Sequence, residues 1–82
     1  MRRTLTTLRC VPRFGYNNTE VRTVDLEMLG EHDELEIRRV LTHWFVQRGV
    51  ADAVYAIDAD DNGFFAIIND EAFASTWGDP LL

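Results

Sequence analysis

The sequence contains no lysine and only one cysteine and one serine among its 82 residues. Because Cys10 has no second cysteine to pair with, an internal disulfide is excluded, which is typical of a protein in a reducing compartment. No apolar run approaches the roughly 20 residues of a membrane helix. Threonines and Arg9 follow Met1 where a secretory signal would need apolar residues, so we expect a cytoplasmic protein that does not bind membranes.

Residues that carry catalysis are equally scarce. Besides the single serine and cysteine there are two histidines, His32 and His43, and no spacing of cysteine and histidine suits zinc. Acidic residues are plentiful, but acids crowded on a surface do not form the acid–base pair in a pocket that catalysis needs. The composition therefore predicts a protein that is not an enzyme and that binds no cofactor.

Length and composition predict one small folded domain spanning residues 1–82. A chain of this size buries about 60% of its unfolded surface, so its core is thin. Hydrophobic residues make up 46% and charged residues 27% of the chain, as in ordinary folded proteins.

The charges are divided along the chain. Residues 1–24 carry five arginines and one glutamate, whereas residues 25–82 carry thirteen acids and three arginines. From Gly49 onward there are seven acids and no base. An acidic half of this kind repels nucleic acid and attracts basic protein surfaces. The alternative interpretation is a solvated surface that keeps a small protein soluble.

Two strands are predicted before the first helix. Residues 4–14 and 19–28 alternate in part between apolar and polar residues, and the turn signal Gly15–Asn18 joins them into an antiparallel hairpin with arginines near carboxylates. Pro12 cannot donate a hydrogen bond to a neighbouring strand, so the first strand is predicted to lie at a sheet edge or to be bulged at this residue. Its inward side chains would be Leu8, Cys10 and Phe14.

Residues 33–48 are predicted to form the main helix. Asp33 can act as the N-cap, Glu36 can complete a capping box, and Gly49 is a natural stop. The apolar residues that share one side at helical spacing, and would form the core face, are Ile37, Val40, Leu41, Trp44 and, at its margin, Phe45.

A second hairpin is predicted over residues 51–61 and 63–69, because Asn62 and Gly63 both tolerate the positive φ of a type I′ turn. With these two residues as the loop, Asp61 would oppose Phe64. The face toward the helix would carry Tyr55, Ile57, Ala59, Phe64, Ala66 and Ile68. The opposite face would carry Val54, Asp58, Asp60, Phe65 and Ile67.

A short terminal helix over about 71–77, capped by Asp70, completes the order ββαββα. One main helix on a mostly antiparallel four-stranded sheet is a two-layer α+β fold. The second sheet face then needs a cover, and the residues expected to supply it are Phe73, Trp77, Leu81 and Leu82. Without that cover, an acid-rimmed apolar patch around Phe65 and Ile67 would be typical of a protein interface.

Two motifs in the second hairpin have functional alternatives. The run from Asp58 to Gly63 matches the first half of a calcium-binding loop, but Asn69 stands where that loop needs a bidentate glutamate, and strands replace its flanking helices. The run 62–67 is similar to the aromatic strand of single-strand RNA-binding domains, but acids lie beside it where that strand has a basic residue. Both motifs are better interpreted as an acidic hairpin tip.

In its length, its acidic segments Asp58–Asp61 and Asp70-Glu71, its compact αβ pattern and its lack of catalytic residues, the chain resembles the small acidic anti-CRISPR proteins encoded by phages. The likeness spans the whole chain but rests on no motif, because those proteins share neither a motif nor a fold. It implies an inhibitor in the host cytoplasm that docks on a basic nucleic-acid-binding surface of a CRISPR effector complex and blocks DNA binding or recruitment.

The sequence therefore predicts an acidic protein-binding inhibitor, with direct nucleic-acid binding disfavoured. The residues expected to contact the partner are Asp58, Asp60, Asp61, Phe65, Ile67, Asp70 and Glu71. One alternative is a homo-oligomeric structural module joined through Leu35 and Val46 or through a sheet edge. Another is a weak nucleic-acid binder that uses the arginines of the first hairpin, namely Arg2, Arg3, Arg9 and Arg13.

Overall fold

The computed structural model describes residues 5–15 and 20–80, which form one mixed four-stranded sheet and two helices. In chain order the elements are β1 (Leu5–Pro12), β2 (Val24–Leu29), α1 (Glu34–Val46), β3 (Val54–Asp60), β4 (Gly63–Ile68) and α2 (Asp70–Trp77). The predicted α+β class is confirmed, and two of the three strand pairs are antiparallel.

The strand order is β2-β1-β4-β3, which places the first strand in the middle of the sheet. The two hairpins are antiparallel within themselves and meet through a parallel β1–β4 pair. The prediction that Pro12 marks an edge strand or a bulge is therefore wrong, since β1 lies inside the sheet and its registers are regular. Proline is tolerated here because it is the last residue of β1, and the register with β2 already ends at Cys10.

Helix α1 begins as predicted, because the Asp33 side chain caps it. The Asp33 Oδ1 atom accepts a hydrogen bond from the Glu36 backbone N–H at 2.8 Å. The Glu36 carboxylate does not return to the cap as a capping box requires; it lies 3.0 Å from His32 Nδ1. The fully buried residues of the helix are Ile37, Leu41 and Phe45. Trp44 is half-buried, whereas Val40 is 44% exposed and belongs only to the margin of the core.

The second hairpin forms where predicted, with a different loop. The loop residues are Asp61 and Asn62, and Gly63, with a φ of +120°, begins β4. The Asp60 carboxylate accepts a hydrogen bond from the Asn62 N–H at 2.8 Å, which favours a turn that starts at Asp60. Asp58 consequently pairs with Phe65, two positions from the predicted register. Because side chains alternate with a period of two, this shift by itself moves no side chain to the other face.

A register shift between Val54 and Ala56 reverses the faces that were predicted for the start of β3. The register passes from Val54↔Ile68 to Ala56↔Ile67, so Tyr55 is an extra residue in the strand, as in a β-bulge. Val54 therefore packs against the core, and Tyr55 is 49% exposed. The sequence pattern predicted the reverse for both residues.

Both helices lie on the same side of the sheet. Phe73 of α2 is fully buried in one core with residues of α1, and the Trp77 ring centroid lies 5.5 Å from that of Phe45. The prediction that Phe73 and Trp77 cover the second sheet face is therefore wrong, and Leu81 and Leu82 lie outside the described residues. Phe14, predicted to point inward, is 73% exposed because β1 ends at Pro12 and a 3-10 turn follows.

Candidate functional site

The sheet face away from both helices is called the outer face here. Alternation along β1 separates the two faces, since Leu8 and Cys10 are completely buried against the helices and Arg9 points to the other side. The side chains that the strand registers place on this outer face are Leu5, Thr7, Arg9, Val11, Asp25, Glu27, Leu29, Ala56, Asp58, Asp60, Phe65 and Ile67.

One row of residues crosses all four strands at the centre of the outer face. Asp25 pairs with Arg9, Arg9 with Phe65, and Phe65 with Asp58. Carboxylates therefore stand at both ends of the row, on either side of a cation and an aromatic ring. The Arg9 Nε atom lies 3.4 Å from Asp25 Oδ1, and the two side chains are 59% and 51% exposed. The row is accessible to a partner.

The charged residues of the outer face are mostly acidic. Among its described strand residues there are four carboxylates, two on β2 and two on β3, and Arg9 is the one base. Beside them lies an open groove of about 480 Å³ lined in part by Arg9, Asp25, Asp60 and Phe65. Its mixture of carboxylates with an apolar ring suits a protruding basic side chain with a long apolar stem.

The structure brings together only part of the predicted site. Asp58, Asp60 and Phe65 share the outer face, and Asp61 lies beside them in the exposed hairpin loop. Asp60 is also a structural residue, since its carboxylate holds the turn. Ile67 is only 7% exposed and offers little area to a partner.

Asp70 and Glu71 lie at the other end of the sheet. They begin α2, after the six residues of β4, and are therefore roughly 20 Å along the strand from the hairpin loop. The Asp70 Oδ1 atom accepts a hydrogen bond from the Phe14 N–H at 2.9 Å, which ties the start of α2 to the end of β1. These two acids cannot form one compact contact area with the hairpin acids.

Sequence reasoning did not include Arg9, Asp25 and Glu27 among the residues that contact the partner. Their alternation indicated that they point outward, but the parallel β1–β4 pair decides that Arg9 stands beside Phe65 and that Asp25 and Glu27 share its face. That pair joins positions more than 50 residues apart, and local patterns carry no signal for it. The acidic face is consequently broader than the second hairpin alone.

The residues behind the alternative functions are spread over the molecule. Arg9 lies beside Asp25, and the Arg13 guanidinium carbon lies 3.8 Å from the centroid of the Tyr55 ring. Arg2 and Arg3 lie outside the described residues. Leu35 and Val46 on α1 are 65% and 53% exposed.

The calcium-like segment is the turn of a β-hairpin, with strands on both sides. Within residues 5–15 and 20–80 no group of three or more His, Cys, Asp or Glu residues is arranged to hold a metal ion. In the same part of the chain no helix is long and apolar enough to cross a membrane.

Cys10 lies under the site, on the buried side of β1. Burial is the main cause that raises the pKa of its thiol from 9.0 to about 12, and the negative charge of Asp25 adds to the effect. A neutral, buried thiol is a poor nucleophile, so Cys10 acts as a small apolar core residue.

No protein-family model, curated protein sequence or solved structure matches the chain.

Proposed function

We propose that the protein is a stoichiometric binding module that docks the outer face of its sheet on a basic surface of another protein. The observation that carries this proposal is the row Asp25, Arg9, Phe65 and Asp58, which places carboxylates and an aromatic ring together on an accessible face. A guanidinium group of the partner can stack on the Phe65 ring while it donates hydrogen bonds to a neighbouring carboxylate. The proposal is one of binding and not of catalysis.

Charge supports a partner that otherwise binds nucleic acid. The chain carries a net charge of −6, and an acidic face accelerates association with a positive surface. The positive surfaces that attract carboxylates also attract phosphates, so a module bound there competes with DNA or RNA. Inhibition by occupation of the nucleic-acid site follows from this competition.

The partner that we propose is a CRISPR effector complex, as the resemblance to phage-encoded anti-CRISPR proteins implies. The test is a plaque assay in bacteria whose active CRISPR system targets the infecting phage. Expression of the protein should restore plaque formation, and a vector without the gene is the control. Failure to restore plaques against any CRISPR type assayed would contradict this partner, but it would leave the binding surface to be tested separately.

The surface itself is tested with two double variants that alter the net charge equally. Asp58→Lys/Asp61→Lys changes the acids around Phe65, whereas Glu31→Lys/Glu34→Lys changes exposed acids shortly before and at the start of α1. Asp60 is left in place because its carboxylate holds the turn.

Binding to partners captured from bacterial lysate is then measured by biolayer interferometry at low and at physiological salt. The first variant should associate about tenfold more slowly than the wild type at low salt, and the second should associate at close to the wild-type rate. Equal slowing of both variants would show that net charge, and not the outer face, governs binding.

A further inference from the structure

The β2 edge of the sheet is open to an added strand. β2 ends the sheet, so no strand in the described part of the chain pairs with its second side. All six of its residues pair with β1 in a regular register. The opposite edge strand, β3, is interrupted by the bulge at Tyr55, where Arg13 covers the ring. β2 is therefore the better template for an added strand.

An apolar groove runs along this edge on the side of the helices. It has a volume of about 340 Å³ and lies between β2 and α1. Its lining includes the apolar residues Leu26, Met28, Val40 and Trp44 together with Leu29, Glu27 and His32. α1 makes its main sheet contacts with β3, at the opposite edge, and so it leaves the inward side chains of β2 only half covered.

The other side of the same strand is acidic. Asp25, Glu27 and Leu29 alternate with Leu26 and Met28 and point to the outer face, where all three are exposed. Glu27 and Leu29 also border the groove. A strand added beside β2 would therefore meet apolar side chains on one side and carboxylates on the other. We propose that the edge of β2 binds an extended peptide segment of another protein in which basic residues alternate with apolar ones.

The negative charge of β2 favours a basic peptide over a second copy of the chain. An antiparallel pair of two β2 strands would bring Asp25 and Glu27 close to the same residues of its partner, and like charges across a strand pair are destabilising. Carboxylates on an edge strand discourage edge-to-edge association in general. A basic segment would instead be attracted to these carboxylates, and its apolar residues would fill the groove.

This inference does not rest on the proposed function. The groove lies on the helix side of the sheet, and the hairpin acids can be replaced without touching it. The variant Asp58→Lys/Asp61→Lys should therefore bind the peptide with close to wild-type affinity, although it loses association through the outer face. The two proposals thus fail in different measurements.

The probe is a fluorescein-labelled synthetic peptide of about eight residues that alternates arginine with valine, which is long enough to lie along β2. Fluorescence anisotropy gives its affinity, with a peptide alternating glutamate with valine as the comparison. Amide chemical shifts in nuclear magnetic resonance spectra locate the contact. The shifts should change along Val24–Leu29 and around Val40, and they should stay unchanged near Phe65.

Matched variants on one helix test the groove. Val40→Asp places a charge in it and should weaken peptide binding by about tenfold or more, whereas Val46→Asp, at an exposed position outside it, should bind like the wild type. Glu27→Lys should weaken binding by about tenfold.

Three outcomes would overturn the inference. The first is no binding of the basic peptide at millimolar concentration, and the second is equal binding of the acidic peptide. The third is a dimer in sedimentation experiments that Val40→Asp disrupts and Val46→Asp does not, because the β2 edge would then belong to a second copy.

Discussion

Arg9 and Asp25 face each other across the β1–β2 pair, with Arg9 Nε 3.4 Å from Asp25 Oδ1, and both side chains remain more than half exposed. Water and salt screen an ion pair in such a position, so it contributes little to stability. Its main effect is on the charge of the outer face, where Arg9 is the one base among the described strand residues.

We expect a double-mutant cycle with Arg9→Ala and Asp25→Ala to give a coupling energy of about 0.5 kcal/mol. Urea denaturation of the wild type and the three variants measures it, and repetition in high salt should reduce it further. A coupling above about 2 kcal/mol would show that the pair is a structural element rather than a surface contact.

The turn at Asp60 provides a second prediction. Asp60→Ala should lower the free energy of unfolding by about 1 kcal/mol because the Asn62 N–H loses its acceptor. Asp60→Asn keeps a side-chain oxygen at that position and should cost less. Urea denaturation compares the two variants, and equal losses would contradict a structural role for this hydrogen bond.

Two phenylalanines, one buried and one exposed, test which residues form the core. Phe73 is completely buried and Phe14 is 73% exposed. Phe73→Ala should cost about 3–5 kcal/mol, whereas Phe14→Ala should change stability by less than about 0.5 kcal/mol. Thermal and urea denaturation measure both variants, and Phe73→Leu is the conservative substitution if Phe73→Ala does not fold. A large loss for Phe14→Ala would contradict the end of β1 at Pro12.

The raised pKa of Cys10 predicts an unreactive thiol in the folded protein. At pH 8 the native protein should react with a disulfide reagent far more slowly than the unfolded chain, because little thiolate forms and burial blocks access. The unfolded thiol ionises near its ordinary pKa of 9.0 and the folded thiol does not, so stability should fall as the pH rises above 9. Rapid labelling in the absence of denaturant would contradict both expectations.

The contacts of His32 predict a second pH dependence of stability, which begins above pH 6.5 rather than above pH 9. Its Nε2 lies 2.7 Å from the Leu29 carbonyl oxygen and its Nδ1 lies 3.0 Å from Glu36 Oε2, and these contacts, chiefly the first, raise its pKa above 6.5. The protonated ring donates from both nitrogens. Its contribution to stability should therefore be fully present below pH 6.5 and should be lost as the pH rises through the folded-state pKa.

Nuclear magnetic resonance titration of the wild type and of Glu36→Gln measures this pKa. Removal of the carboxylate should lower the pKa of His32 but keep it above 6.5, since the Leu29 carbonyl remains. An unchanged pKa in Glu36→Gln would show that the contact with Glu36 has no electrostatic effect.

Local sequence determined the elements of this protein. α1 closely follows its local signals, which are the cap at Asp33, the apolar spacing from Ile37 to Phe45 and the stop at Gly49. Each of these signals depends on residues that are close together in the sequence. Alternation along β2 and β4 likewise assigned each side chain to a face, because the period of two is a property of any strand.

Only the tertiary structure decided how these elements meet. The parallel contact of β1 with β4, the bulge at Tyr55 and the packing of α2 beside α1 depend on which distant surfaces bury each other best. No local pattern encodes that choice. Long-range packing places β1 in the middle of the sheet, although an edge position was predicted. It also places Phe73 and Trp77 on the helix side of the sheet, although the outer face was predicted. The acidic hairpin could be predicted from the sequence. The outer face to which it belongs could not, because long-range pairing of the strands aligns Asp25, Arg9, Phe65 and Asp58 in one row.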